Sequence, residues 1–287
     1  MTVFLVTGVT GNLGGAALRS LLERAPTSEV RVLVRTDRAA ADFAARGLAA
    51  HIGDYSDAAS LDAAFTGADR AIVISSPVLD PSVRVMQHRT VIESAVAAGV
   101  RHVVYTSGIG ARYDPGHSAA EDALTESGVH HAILRNALYT DAFVERAIAQ
   151  AGADGLITSA STGQSLTTAA IADLGEAAAA ASFTMPKKTL WELRGPRWDF
   201  NDLAAALTVA LGRPISHEDV DDADTGPFAV LFPLIRRGVF GLETPDLAEL
   251  LGRAPADIRV VVREMATRSA DASHAIPARS AMTPTRP

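Results

Sequence analysis

Residues 6–15 read VTGVTGNLGG, with Gly8, Gly11 and Gly14 three apart, directly after an apolar β-branched run and directly before a helix-forming one. A strand, a glycine turn and a helix start in immediate succession form the entry of a nucleotide-binding parallel sheet. In that setting Gly8 permits the tight turn, Gly11 lets backbone approach a pyrophosphate, and Gly14 lets the helix sit close to the sheet. A helix beginning near Asn12 turns unpaired N–H groups and the positive end of its dipole toward the phosphates. Thr10 and Leu13 share the loop and are expected at the same ligand. A glycine turn serving packing alone is the competing reading; the strand before it and the helix after it favour binding.

Up to residue 134 the chain alternates short β-branched runs with longer segments of helical period, the pattern of a parallel sheet covered on both faces. The strands expected are VFLVT, VRVLVR, AAHIGD, RAIVISS, HVVYTS and HHAILR. The helices expected between them are LGGAALRSLLER, AAADFAARG, SLDAAFTG, RVMQHRTVIESAVAAG and AEDALTESG. The fold class is therefore α/β, a doubly wound parallel Rossmann sheet with a smaller α/β lobe on the substrate side. Residues 1–134 are assigned to the nucleotide-binding domain. Residues 135–268, with the helix FNDLAAALTVALGR and the strand TLWELRG, are assigned to the smaller lobe, partly interleaved with the sheet. Residues 269–287 lack apolar periodicity and are expected to be a disordered tail. The alanine-rich patches read as helix filler.

Charge and composition exclude several function classes. With 26 Lys and Arg against 33 Asp and Glu, the net charge of −7 creates no field that would draw nucleic acid or an anionic membrane. The absence of cysteine removes disulfides, thiolate nucleophiles and zinc-cysteine sites together, and suits a cytoplasmic protein. MTVFLVTG has no basic leader, and EAAAAASF falls far short of the ~20 residues that cross a bilayer. His130 and His131 lack the i,i+4 spacing of a helical metal pair, so no metal is assigned. YTSGIG is no nucleophile elbow, because Tyr105 stands where the first glycine belongs. The expected partner is a small molecule, and the protein a monomer or homodimer.

Further cofactor positions follow from the strand ends. About twenty residues past the loop, where an NAD enzyme places an acid for the ribose hydroxyls, stands Arg35, with Arg38 close by. A guanidinium can fork onto a 2′-phosphate and offers NAD nothing comparable, so NADP(H) is the expected cofactor. Asp37 is more simply a helix cap. Asp54 and Tyr55, Ser75 and Ser76, and Thr106 and Ser107 end the third, fourth and fifth strands, where a dinucleotide would lie. Each pair alone is also explained by local backbone satisfaction.

The G-x-x-G-x-x-G spacing resembles the atypical short-chain dehydrogenase/reductases. With QHRTVIESAVAAGVRHVVYTS, ALTESGVHHAILRNALYTDAF, LWELRG and ELLGRAP in that order, the chain to about residue 266 is similar to their NmrA-like members. Within these it looks most like the NADPH-dependent quinone oxidoreductases, relatives of the triphenylmethane reductases. The resemblance implies a Rossmann domain, NADPH without flavin, and a cleft between two lobes. Typical short-chain enzymes use a tyrosine with a lysine four residues on, which here gives Tyr113 and His117. A mostly neutral imidazole gives a phenolate little help, and Ser118 with Glu121 forms a capping box that would start the helix after His117. Quinone reduction leaves a weakly basic phenolate and can dispense with such an acid, so the resemblance points to LRNALY. There Asn136 can bond an acceptor oxygen, and Tyr139 and Phe143 can contact its ring. His117 is a candidate for the nicotinamide ribose or for late proton donation. The rivals are an NADP(H)-sensing regulator without catalysis, and a true carbonyl reductase working through Tyr113.

Overall fold

The computed structural model describes residues 1–152 and 154–274. Its first half runs β1 (Phe4–Val6), α1 (Asn12–Leu22), β2 (Val30–Val34), α2 (Asp37–Ala44), β3 (Ala49–Ile52), α3 (Ala58–Phe65), β4 (Arg70–Ile74), α4 (Pro81–Ala97), β5 (His102–Gly108), α5 (Pro115–Ser127) and β6 (His130–Asn136). The second half begins with α6 (Thr140–Ala151), β7 (Leu156–Ser159), β8 (Leu166–Thr167), α7 (Ile171–Thr184) and β9 (Leu190–Leu193). It continues with β10 (Arg197–Trp198), α8 (Phe200–Leu211), β11 (Ser216–Asp219), α9 (Phe232–Arg236), α10 (Asp246–Leu251) and α11 (Ile258–His274). Each strand expected up to β6 is present to within one or two residues of its ends. Past Ser269, where the sequence loses its period, α11 continues to His274, and the rest of the expected tail lies outside the described residues.

Seven strands form one sheet in the order β3-β2-β1-β4-β5-β6-β9, every pairing parallel. Side chains alternate across it as the two-residue period requires. Phe4, Val6, Val32, Ile72, Val104 and Leu134 face one core with α1 and α7. Leu5, Leu33, Val73, Val103, Tyr105 and Ile133 face the other with α3, α4 and α5. The sheet is thus covered on both faces, the doubly wound α/β arrangement. Its strand order reverses between β1 and β4, which opens a crevice at their carboxyl ends. A third core unites Phe143 of α6, Trp198, and Phe200 of α8 with α9 and α11 above that edge.

The TLWELRG strand, placed by its sequence in the smaller lobe, is β9 and pairs with β6 in the main sheet. The alanines read as helix filler are a packing surface: Ala177, Ala178, Ala179 and Ala181 of α7 are fully buried. Small side chains let α7 approach α1 closely, and Gly175 is the contact point. A Cβ there would come 2.5 Å from the Ala16 Cβ and 2.7 Å from the Ala16 backbone. The helix-propensity gain of Gly→Ala, about 1 kcal/mol, is smaller than the overpacking cost of about 1–3 kcal/mol when backbone itself must move. Gly175→Ala should therefore lower the urea-unfolding free energy, and a stabilised variant would refute this packing.

Candidate active site

Two recesses meet at the crevice and share the wall from Ile74 to Val78 that follows β4. The inner one, about 390 Å3, runs along the glycine loop. Gly8, Thr10, Gly11, Asn12, Leu13, Gly14, Arg35, Asp54, Tyr55, Ser75 and Ser76 all line it. Gly8 takes a positive φ of +63°, and at Gly14 a Cβ would meet the Gly8 carbonyl oxygen at 2.2 Å. Only glycine at position 14 lets α1 start this low over the turn. Gly11 is the N-cap of α1, and no side chain caps that end. The first-turn amides of Asn12 to Gly14 are therefore without intrahelical partners and free for a diphosphate. Arg35 is exposed at the far end of this recess. Asp37 lies in the first turn of α2, where Thr36, not Asp37, is the cap and accepts the Ala39 N–H at 3.2 Å. The residues present fit an NADP(H) dinucleotide: open backbone amides for its central diphosphate and, lining the same recess, a cation for its 2′-phosphate.

Several cofactor positions are braced from behind. The Tyr55 hydroxyl bonds that of Thr7 and donates to the Ile74 carbonyl at 2.8 Å, so its ring, not its polar tip, faces the recess. Burial raises the pKa of this phenol. Thr106 is buried away from both recesses, contrary to its expected cofactor contact, because its Oγ1 accepts the Ser75 N–H at 3.1 Å. Ser76 donates its hydroxyl to Gln87 Oε1 at 2.5 Å and its N–H to His88 Nε2 at 2.9 Å.

The outer recess, about 640 Å3, is lined by Ser107, Tyr113, His117, Asn136 and Tyr139. Phe143 does not reach it: at 3% exposure it is held in the smaller lobe's core against Trp198, Phe200 and Phe228. The helix expected to begin after His117 begins at Pro115. Asp114 caps it through the N–H groups of Gly116 and His117, and the proline at N1 presets the first turn. Glu121, expected in a capping box with Ser118, is buried and bonded elsewhere.

Tyr113 ends a 3-10 turn over Ala111–Tyr113 and is 77% exposed, its ring under the Arg112 guanidinium. It makes no pair with His117, whose ring nitrogens are both engaged. His117 Nδ1 lies 2.9 Å from Tyr105 Oη, and Nε2 lies 2.9 Å from an Arg84 nitrogen. A guanidinium only donates, so Nε2 accepts and the ring proton sits on Nδ1. Burial, then the Arg84 charge, lower the His117 pKa to about 4. Arg84 itself is a strut: it also donates to both Asp114 carboxylate oxygens and to the Ser76 carbonyl. Arg84, Gln87 and His88 escaped the motif reading. Their signal is positional, since these polar residues share one helical stripe with the buried Val91 and Ala95.

His117 is neutral in the fold down to about pH 4, while the unfolded chain takes up its proton near 6.5. The unfolded state then binds more protons in that window, so this stability is complete above 6.5 and is lost as pH falls toward 4. The gap corresponds to a contribution on the order of 3 kcal/mol. His102, also lowered to about 4 by burial, titrates alike in wild type and variant. His117→Gln should flatten urea-derived stability against pH across this window; an unchanged slope would refute the neutral assignment.

Among the described residues no group of three or more acidic and histidine side chains could hold a metal, and no helix is long and apolar enough to cross a membrane. The chain is 33% identical over 226 residues to quinone oxidoreductase 2 of Escherichia coli K12, covering 76% of this chain and 78% of that protein. The crystal structure of Citrobacter sp. triphenylmethane reductase complexed with NADP(H) superposes with a TM-score of 0.83 at 27% identity, over 91% of this chain and 99% of that one. The NADPH complex of an Escherichia coli NADPH-dependent quinone oxidoreductase gives 0.81 at 28% identity, over 92% and 99%. A family model described as NAD(P)H-binding matches residues 8–180, from the first glycine of the cradle to the alanines of α7. A cradle that only glycine can build, and matches over most of the chain, place this protein in the NAD(P)H-binding family, among its NmrA-like relatives.

Proposed function

We propose that this chain is an NADPH-dependent oxidoreductase that passes hydride directly to a quinone or a similar conjugated acceptor, without flavin or metal. One observation carries the reading: the nucleotide recess opens at Ile74 to Val78 into a wide recess in which neither lining tyrosine, Tyr113 or Tyr139, is hydrogen-bonded to a basic side chain among the described residues. His117 is a neutral acceptor at its Nε2, and Tyr113 is exposed and unpaired with it. A ketone would leave a strongly basic oxygen needing a proton as it forms, whereas a quinone leaves a delocalised phenolate that water can protonate later. The relatives named above support the same chemistry.

The bound dihydronicotinamide supplies the hydride; the protein supplies position. The first-turn amides of α1 would hold the central diphosphate of the dinucleotide, and Arg35 the 2′-phosphate of its adenosine half. The wall after β4 then directs the rest of the cofactor from one recess into the other. Asn136 and Tyr139, with Leu138 between them, border the space for the acceptor ring. A site of this kind gains its rate from proximity and orientation rather than from acid catalysis.

Stopped-flow mixing of the NADPH complex with benzoquinone should show oxidation faster than in buffer; no acceleration would favour the nucleotide-sensing regulator. Tyr113→Phe should keep quinone turnover within about threefold, whereas the carbonyl-reductase reading requires its loss. Arg35→Ala should weaken NADP+ by about 10- to 100-fold in titration calorimetry, the value of a charge-assisted hydrogen bond, and leave NAD+ nearly unchanged. Equal losses for both nucleotides would remove Arg35 from the 2′-phosphate.

A further inference from the structure

Ser107, at the end of β5, faces the outer recess with its hydroxyl already committed. Its Oγ donates to Glu121 Oε1 at 2.6 Å, and both groups are buried. The Glu121 carboxylate is paired with Arg135, which donates to Oε1 at 3.0 Å and to Oε2 at 2.6 Å. The sheet register sets Arg135 directly beside Ser107 on the neighbouring strand, so the three groups are aligned by the backbone. A carboxylate only accepts. The single Ser107 proton therefore points away from the recess, and what the recess meets is lone pairs.

We propose that the Glu121–Arg135 pair fixes Ser107 as a hydrogen-bond acceptor, and that Ser107 Oγ forms a subsite for an N–H or O–H donor. A carbonyl oxygen set against Ser107 meets lone-pair repulsion, so this serine does not polarise a substrate carbonyl. Glu121 and Arg135 are positioning residues, since they act through Ser107. The inference rests on the NADP(H) reading, and two sources present the required chemistry there. One is the primary carboxamide of the nicotinamide, with two N–H groups; the other is the hydroxyl of a reduced acceptor ring.

The test measures ligand preference, which a merely structural role leaves unmoved. Titration calorimetry compares NADP+ with its 3-acetylpyridine analogue, in which a methyl ketone removes the N–H donors. A second arm compares hydroquinone with benzoquinone on the NADP+ complex. Wild type should prefer the donor of at least one pair by about tenfold. Ser107→Ala, which leaves Glu121 on Arg135, should bring that ratio close to one. Glu121→Gln, whose oxygen at the Oε1 position still accepts from both Ser107 and Arg135 Nε, should retain the preference. A change in the first arm assigns the donor to the cofactor, and a change confined to the second assigns it to the acceptor ring. Ratios that Ser107→Ala leaves unchanged in both arms overturn the subsite even if Glu121→Gln fails to fold. Wild-type protein that binds no NADP+ at all overturns the cofactor reading itself.

Discussion

The missing side chain at Gly14 governs the geometry of this protein. With the Gly8 carbonyl oxygen 2.2 Å from where a Cβ would sit, α1 starts directly over the turn that ends β1. That closeness aims the first-turn amides into the crevice where the strand order reverses. It also sets the height of α1, and thereby of α7, which meets α1 at the Gly175–Ala16 contact, where a Cβ would come 2.5 Å from Ala16. The cofactor cradle and the packing of one whole face of the sheet thus depend on two positions where backbone touches backbone.

Much of this was legible in the chain because it follows from local rules. Strands β1, β2, β4, β5 and β6 are apolar runs whose residues alternate between two buried faces, and the glycine spacing has meaning only between a strand and a helix. The start of α5 was misjudged between two local signals. Ser118 and Glu121 match a capping box, but Asp114 followed by Pro115 is both a cap and a preset first turn, and it begins the helix sooner. Glu121 was unavailable for capping because its carboxylate meets Arg135, fourteen residues away on β6. Phe143 shows the same limit: its spacing fits either a ligand wall or a core, and only the positions of Trp198, Phe200 and Phe228 decide. The strand around Trp191 carries no mark of which sheet it joins.

The acceptor side depends on contacts of higher order still. Arg84 ties the carbonyl after β4, the cap of α5 and the imidazole of His117 into one arrangement. That arrangement decides which groups can hold or release a proton at the recess, and it leaves His117 without one to give at neutral pH. Sequence identifies the residue types; three elements packing together assign their tautomers and hydrogen-bond directions. The chemistry of the site is therefore set less by which side chains are present than by how their protons are already allotted.

The pairing of β9 with β6 bears on how the molecule is made. The strand and α7 come from the second half of the chain, yet they extend the sheet beyond β6 and cover α1. During synthesis β6 would wait without its outer partner, and α1 as a bare apolar helix, until residue 193 has left the ribosome. A truncated product ending near residue 135 would carry every glycine of the cradle and still present a surface prone to self-association. Expression as a full-length polypeptide, and protection of that nascent edge, are thus requirements written into the strand order.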